Sequence, residues 1–417
     1  MSAAAPTQRS FAALRHPGFR FFFIGMAVTM LADNIEHVIS YWVMFQKFHS
    51  EALAGFAVIS HWVPFLLFSI YAGSLAERFD PRRIIQIGML LFMGVSVCWG
   101  VLFITDSLRK WEAMTLLIMH GIAGVLWNPP AQLLLHDIVG PTELQSAVRL
   151  NATARYLGML SGPAVGGALL LALGPAHGIF VNALIYLPML LWLWKAPYGP
   201  RFRKGGAPPA RAVKGFRDVV EAFTAIRANP LLLCMTLLAG GAAFFIGNSY
   251  QAQMPEFTRD LGHGDPGLTY SMLLAADAAG ALTAGFALES GGFLRANPRT
   301  ALILGMLWCC SIGGFALCRS YPVALVLLFA AGFLELSFNS MAQAIVQLSA
   351  PVSMRGRVIG VFSMAASGMR TFAGIFVGLL GGLIGIHWSM ALSALILLFV
   401  IGSLFTIKRQ PTRQVPA

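Results

Sequence analysis

The sequence contains few charged residues. Asp, Glu, Lys and Arg make up 11% of its 417 residues, whereas about a quarter of the residues in soluble proteins are charged. Hydrophobic residues make up 57%, and the mean hydropathy is +0.72. This composition excludes a water-soluble fold, and the chain is expected to be an integral membrane protein in contact with a lipid bilayer.

Several features of enzymes and pumps are also missing. The five cysteines have neither disulfide nor metal-site spacing. The sequence contains no phosphate-binding glycine loop, no nucleophile beside a base and no pair of histidines four residues apart. These absences argue against an ATP-driven pump and a membrane enzyme, so we expect no catalytic residue, no metal and no cofactor. The lack of a large extramembrane domain argues against a receptor or scaffold.

Apolar stretches of about 20 residues, the length that crosses a bilayer as a helix, recur along the whole sequence. Twelve of them predict an all-α integral membrane fold with 12 transmembrane helices, here called spans 1 to 12. The first is too long and too aromatic for a cleaved signal peptide, so we expect it to be retained. The spans are centred near residues 32, 64, 95, 125, 159, 185, 242, 277, 308, 334, 370 and 396.

Basic residues lie mainly on one side of these spans. If the loops alternate between two sides, 22 of the 29 Lys and Arg residues fall on the side of both termini, 5 on the other side and 2 within spans. Basic loops stay in the cytoplasm. We therefore expect a bacterial inner-membrane protein with both termini cytoplasmic, and the net charge of +12 requires no nucleic-acid partner.

The two halves of the sequence resemble each other. GSLAE at 73–77 matches GFALE at 285–289, and NPPAQ at 128–132 matches NSMAQ at 339–343. A duplicated six-span unit is typical of secondary transporters, which bind substrate near the middle of the membrane between the repeats. The predicted domains are a first six-helix half (1–195), a basic cytoplasmic linker (196–228), a second six-helix half (229–407) and a cytoplasmic tail (408–417).

Three stretches resemble transporters of the major facilitator superfamily. GSLAERFDPRR (73–83) is similar to the superfamily's loop between spans 2 and 3, and GMLSGPAVGG (158–167) to the span 5 motif of its drug and proton antiporters. Residues 128–158 are similar to the branch of siderophore exporters and macrolide-efflux proteins, the transmembrane secretion effectors. The resemblance covers nearly the whole chain and implies two pseudo-symmetric halves, alternating access, a monomer, and export energised by a proton gradient.

The first motif predicts a cytoplasmic gate. Glu77 is expected to lie against the positive N-terminal end of span 11, and Arg82 or Arg83 to reach Asp137 at the end of span 4. Such contacts would form only when the cytoplasmic side is closed. Glu77 and Asp80 depart from the family pattern, which has Asp and Gly there. The predicted gate residues are Gly73, Glu77, Arg78, Arg82, Arg83, Asp137 and Glu289.

Span 5 carries small residues at helical spacing. They are expected to permit close packing across the interface between the two halves, with a bend at the proline. The residues of this packing motif are Gly158, Gly162, Pro163, Gly166 and Gly167.

Span 1 carries four polar side chains, Asp33, Asn34, Glu36 and His37, within five residues. At 100° per residue they share one face of the helix. A charge at the centre of a bilayer costs at least about 2.5–3.5 kcal/mol. This face is therefore expected to line a wet cavity or to meet polar partners.

Further charges lie within spans 5, 8, 10 and 11. Desolvation favours the neutral form of a carboxyl group and a nearby arginine favours the charged form, so a carboxyl group that alternates between these surroundings carries a proton. Asp33 and Glu36 are the main predicted proton sites with Arg155 as counter-charge, and the carboxylates of the second half, opposite Arg370, are further candidates. Fixed structural pairs of Asp33 with Arg155 and of Glu335 with Arg370 are the alternative. The predicted proton and substrate cavity comprises Asp33, Asn34, Glu36, His37, Arg155, Asp277, Glu335 and Arg370.

The resulting hypothesis is a proton-coupled exporter of an amphipathic small molecule, either a drug-like compound or a siderophore. Ala-Asp-Asn at 32–34 also resembles the Gly-Asp-Asn of lysophospholipid transporters, which leaves a flippase or importer open. Met26, Met30, Asp33, His37 and Met44 form a stripe whose methionine sulfur and imidazole suit soft metals, so a metal or metal-chelate transporter is a third alternative. Span 4 lacks the arginine motif of drug antiporters, so coupling must rest on other residues or be absent.

Overall fold

The computed structural model of the chain describes residues 10–202, 215–262, 268–290 and 296–406. These residues form helices joined by short turns, and no β-strand occurs among them. The tail predicted at 408–417 and the middle of the predicted linker, 203–214, lie outside the described residues.

Nine helices of the described residues are long and apolar enough to cross a membrane. One of them holds three spans, and span 11 is built from two shorter helices, which together accounts for the twelve predicted spans. Spans 1 to 3 are Pro17–Phe48, Glu51–Arg78 and Pro81–Ile104; spans 4 to 6 lie in Lys110–Ile185 and Leu187–Lys195; span 7 is Pro230–Phe245 followed by Ser249–Asp260; spans 8 to 10 are Leu268–Ser290, Pro298–Leu317 and Tyr321–Ser349; span 11 is Arg355–Ser363 and Arg370–Ile384 around a π-helical turn at Met364–Gly368; span 12 is Ile386–Leu404. Phe216–Ala228 forms a linker helix, and short 3-10 turns occupy Ala12–Arg15, Pro200–Phe202 and Val352–Met354.

Two Gly-Pro pairs separate spans 4, 5 and 6. Gly140 has φ 70° and Gly174 has φ 75°, a left-handed conformation that glycine adopts without steric cost. Pro141 and Pro175 follow, and proline suits the first turn of a helix because no backbone donor is needed there. The local sequence therefore ends one helix and starts the next, giving spans of 110–139, 141–173 and 175–195.

The buried apolar side chains form mainly separate clusters in the two halves of the sequence. Phe19, Phe92 and Tyr186 belong to clusters built almost entirely from residues before the linker. Trp308 and Phe338 belong to a large cluster built almost entirely from residues after it. Each group of six spans thus buries its own core, as a duplicated unit should.

The halves meet closely at the end of the bundle that carries the linker helix, here called the inner side. A Cβ atom on Gly73 of span 2 would lie 2.1 Å from the backbone oxygen of Gly356 in span 11, and one on Gly285 of span 8 would lie 2.0 Å from Thr153 Oγ1 in span 5. Gly73 and Gly285 occupy equivalent positions of the sequence repeat. Glycine therefore permits the same close approach twice, and the inner side of this structure is closed.

The glycines of span 5 pack differently from the prediction. A Cβ atom on Gly158 would lie 2.5 Å from Ala27 O, and one on Gly162 would lie 2.3 Å from Asn34 Cβ; both contacts are with span 1 of the same half. Gly166 continues this stripe at the same spacing of four, whereas Gly167 lies off it and faces open space. Pro163 is exposed within a continuous helix. The predicted packing across the two halves was wrong, because residues four apart follow the face that meets span 1.

We expect Gly73→Ala to open the inner side. The alanine Cβ would lie 2.1 Å from Gly356 O, which is 1.3 Å closer than the 3.4 Å at which ordinary van der Waals contact begins. The two backbones must therefore separate. Spin labels on cysteines at Phe79 and Val352, both exposed near the ends of the two helices, report this distance in a cysteine-free background. Gly94→Ala is the matched control because its Cβ would meet nothing within 4 Å. Equal distance distributions in both variants would contradict the closed glycine contact.

Candidate functional site

A cavity of about 130 Å³ lies between the two halves. It is smaller than the roughly 300–1,000 Å³ of ligand pockets, so a bulky ligand requires a more open conformation. Its lining is mixed, with apolar side chains, amides and hydroxyls, and with two arginines against one carboxylate. The lining residues are Met30, Gln132, Ala152, Arg155, Tyr156, Met159, Glu335, Leu336, Asn339, Ser340, Gln343, Phe362, Ser363, Ala366, Ser367 and Arg370.

Arg370 occupies the second-half wall of the cavity. It follows the π-helical turn of span 11, a feature that often marks functional sites because it displaces the next side chain from the regular helical position. Its Nη2 lies 3.7 Å from Glu335 Oε1, and its Nη1 donates to Asn248 Oδ1 at 2.5 Å. Its guanidinium also lies 5.2 Å from the ring centre of Trp62 in span 2. Arg370 therefore joins both halves beside the cavity, and the predicted neighbour Glu335 is in contact with it.

Two carboxyl groups share one tyrosine hydroxyl behind this wall. Tyr250 Oη lies 3.1 Å from Asp277 Oδ2 and 3.3 Å from Glu335 Oε2. Gln251 Nε2 lies 3.2 Å from Asp277 Oδ2. Asp277 Oδ1 is buried without a hydrogen-bond partner among the described residues. Because a hydroxyl group has a single proton, it donates to one carboxyl group only, and the second contact is a hydrogen bond only if that acid carries a proton.

Arg155 faces the cavity from span 5 without an ion-pair partner within 4.0 Å in the part of the chain that the structure describes. The predicted pair of Asp33 with Arg155 was wrong. Asp33 instead contacts His120 of span 4, whose ring lies between spans 1 and 4 and reaches the carboxylate first. Arg155 is left available to a ligand.

The polar face of span 1 forms a second cluster away from the cavity lining. His120 Nε2 lies 2.9 Å from Asp33 Oδ1, and its Nδ1 lies 2.8 Å from Glu36 Oε1. Ser96 Oγ donates a short hydrogen bond to Glu36 Oε2 and accepts one from Asn182. His120 thus bridges the two carboxylates that the sequence singles out.

The remaining polar residues of span 1 have different surroundings. His37 Nδ1 lies 4.0 Å from Asp33 Oδ2, and its ring lies 5.0 Å from that of His61 in span 2. Asn34 donates to the backbone oxygen of Met30 at 2.8 Å and packs on Gly162, so it does not reach the cavity. His61 and His120 were missed by the sequence analysis. The available signal was that a histidine within an apolar span requires polar partners.

Glu77 forms the expected contact with the start of span 11. It accepts from the backbone N–H of Arg357 at 2.8 Å and from the Nε of the same residue at 2.9 Å. Arg357 is 1% exposed and also contacts Asp218 at 3.4 Å and Glu221 at 2.9 Å in the linker helix. The linker helix is therefore part of this inner gate, a role that the sequence motif does not reveal.

The repeat supplies a second inner contact, between spans 5 and 8. Glu289, equivalent to Glu77, accepts from Ser146 Oγ at 2.6 Å and lies 3.9 Å from Arg149 Nη1. Arg149 also donates to Leu288 O at 3.0 Å. Both copies of the motif thus close their side of the interface through a glutamate.

The other predicted gate residues have local partners. Arg82 pairs with Asp80 at 2.5 Å and donates to Ala196 O, while Arg83 donates to Gln86 at 2.9 Å. Arg78 stacks on the neighbouring ring of Phe79 at 5.0 Å. The predicted contact of Arg82 or Arg83 with Asp137 does not form among the described residues, because Asp80 caps span 3 only two residues before Arg82.

Comparison with known proteins identifies the family. A model of the transmembrane secretion effectors matches residues 8–415. The chain belongs to this family of major facilitator transporters. The multidrug efflux pump Tap of Mycolicibacterium fortuitum is 24% identical over 91% of this chain and 93% of its own length. The enterobactin exporter EntS of Shigella boydii is 23% identical over 88% and 85%.

Solved structures show the same fold. The human organic anion transporter MFSD10 superposes with a TM-score of 0.73 at 14% identity, covering 94% of this chain and 99% of the other. The Escherichia coli fucose:proton symporter FucP gives 0.71 at 12% identity, with coverage of 96% and 100%. This family member therefore has the all-α major facilitator fold and is a multi-pass membrane transporter, not an enzyme.

Glu77→Gln should weaken the inner gate of this transporter. Losing the charge opposite the buried Arg357 should destabilise the closed state by about 1–3 kcal/mol, because this is the usual free-energy cost of a poorly satisfied buried group. Labels at Phe79 and Val352 should then show a larger open population.

Arg83→Ala is the matched control for this variant. Arg83 is exposed, and the partners it contacts among the described residues, Gln86 and Trp194, belong to its own half, so the distance distribution should stay as in the unmodified protein. If Glu77→Gln and Arg83→Ala show the same closed population, the result contradicts the role of Glu77 in the gate.

Proposed function

We propose that this transporter is a proton-coupled exporter of an amphipathic small molecule with acidic and hydrogen-bond donor groups. The observation that carries this is the cavity between the halves, where Arg155 has no ion-pair partner among the described residues and the Arg370–Glu335 pair and apolar side chains complete the lining. We place it in the bacterial inner membrane as a monomer, with both termini cytoplasmic and with residues 1–195 and 229–407 as its two halves around the linker 196–228.

The cavity chemistry supports the substrate class. An arginine without an internal partner favours a carboxylate, phenolate or similar acceptor on the ligand, and Met30, Met159, Leu336 and Phe362 favour an apolar body. The names of Tap and EntS, a drug efflux pump and a siderophore exporter, agree with an amphipathic substrate. Enterobactin and an amphipathic dye are therefore the first compounds to test.

We place the coupling proton on the pair of Asp277 and Glu335 rather than on Asp33 or Glu36. Glu335 lines the cavity, whereas neither acid of span 1 does. The shared Tyr250 hydroxyl requires a proton on one member of the pair for both contacts to be hydrogen bonds. A proton site beside the substrate site is what an exchanger needs.

Competition for Glu335 supplies the coupling. When protonated, Glu335 bonds to Tyr250 and offers no charged acceptor to the cavity. When deprotonated, it accepts from Arg370 or from a donor group of the substrate. Substrate and proton therefore exclude each other, so alternating access exchanges one for the other across the membrane.

Glu335→Gln tests coupling. It keeps the size of the side chain but cannot exchange a proton, so uptake driven by a pH gradient into everted vesicles should be lost while substrate exchange without a gradient survives. Glu256→Gln, on an exposed residue, is the control and should keep both activities. Gradient-driven uptake by Glu335→Gln at the control rate would overturn this assignment. If the unmodified protein transports substrate only out of the everted vesicles, the importer alternative is favoured.

Arg155→Gln tests substrate recognition. Losing one charged hydrogen bond, about 1.5–3 kcal/mol, should raise KM for an acidic substrate roughly tenfold or more without abolishing coupling to the gradient. Arg259→Gln is the exposed control. A KM for enterobactin equal in both variants would remove Arg155 from the binding site.

A further inference from the structure

Three imidazoles from three different spans converge in the first half. His37 of span 1, His61 of span 2 and His120 of span 4 each offer a nitrogen, and these three nitrogens lie within 4.8 Å of one another. Asp33 lies 2.9 Å from one of these rings and 4.0 Å from another. We propose that these four residues form a binding site for a divalent transition-metal ion of the zinc class.

His61 supports this assignment most directly. Its Nδ1 is buried and has no hydrogen-bond partner among the described residues. A buried polar atom without a partner carries a desolvation cost of about 1–3 kcal/mol, so it requires an explanation. A metal ion bound through Nδ1 would give this nitrogen a partner.

His120 already has the surroundings of a metal ligand. Metal-binding histidines usually donate their second ring N–H to a carboxylate, which fixes the orientation of the ring. Nδ1 of His120 lies 2.8 Å from Glu36 Oε1, and Ser96 Oγ donates to the other oxygen of this carboxylate. An ion bound by His120 Nε2 and Asp33 Oδ1 displaces any proton carried at this contact, and that proton leaves to solvent.

The ligand set selects the class of metal. Three imidazole nitrogens and one carboxylate oxygen suit Zn²⁺, Co²⁺ or Ni²⁺, whereas Mg²⁺ and Ca²⁺ prefer oxygen only. Tetrahedral Zn–N bonds of about 2.0–2.1 Å place ligand nitrogens about 3.3 Å apart, so rings whose nitrogens lie up to 4.8 Å apart need to approach by up to about 1.5 Å. The methionine stripe is not part of this site, since Met26 and Met30 are buried in the apolar cluster of the first half.

The position of the site indicates a regulatory consequence. An ion there would tie span 2 to spans 1 and 4 through His61. The adjacent Trp62 lies under the guanidinium of Arg370 from the opposite half. Bound metal should therefore restrict the movement of span 2 against span 11.

Cobalt titration tests the site. Purified, chelator-treated protein without a histidine tag is titrated with Co²⁺, whose visible absorption reports a tetrahedral nitrogen and oxygen environment. We expect one saturable Co²⁺ per chain that Zn²⁺ displaces. His61→Gln and His37→Gln should each weaken it by at least about tenfold, as losses around metal sites do. His177→Gln, on an exposed residue outside the cluster, should leave it unchanged.

Three results would overturn the proposal: no saturable absorption in the unmodified protein, unchanged affinity in both His61→Gln and His37→Gln, or loss of binding in His177→Gln. Gel filtration of each variant establishes that it is folded. The measurement needs no transport assay, so its outcome is independent of the proposed substrate and of proton coupling.

Discussion

Polar groups inside the membrane obtain no partners from the lipid, and this constraint organises the structure. A lone charge there is costly, so charges are gathered into clusters whose members satisfy one another. His120 joins Asp33 and Glu36 in the first half. Tyr250 joins Asp277 and Glu335 in the second half, with Arg370 beside them. Within the described part of the chain Arg155 is the exception, and it faces the cavity.

The same constraint explains the inner gate. Glu77 and Glu289 are placed by the sequence repeat at equivalent positions, and each finds its donor at the beginning of a span in the other half. Gly73 and Gly285 bring these helices close enough for the contacts to form. Closing the inner side satisfies both glutamates, and opening it must expose them to water. Alternating access thus exchanges internal partners for solvent at the gate.

Much of this architecture could be predicted from the sequence. Hydropathy located the twelve spans, and the loop motif at 73–83 identified the contact of Glu77 with span 11. Pairings between distant spans could not be predicted. His120 lies 87 residues from Asp33, and a single sequence contains nothing that links them. The prediction for Arg82 failed for the opposite reason, because a partner two residues away competes with a distant one. The faces of helices were also hard to assign, since the glycines of span 5 pack against span 1 and not against the other half.

The central claim is that substrate and proton compete for Glu335. Calorimetric titration of the purified protein with enterobactin, in buffers of different ionisation enthalpy, counts the protons exchanged on binding. The account predicts that binding releases protons, and that Glu335→Gln binds enterobactin with no such release. Three results would contradict the account. Binding to the unmodified protein could exchange no protons, it could take protons up, or Glu335→Gln could release as many protons as the unmodified protein does.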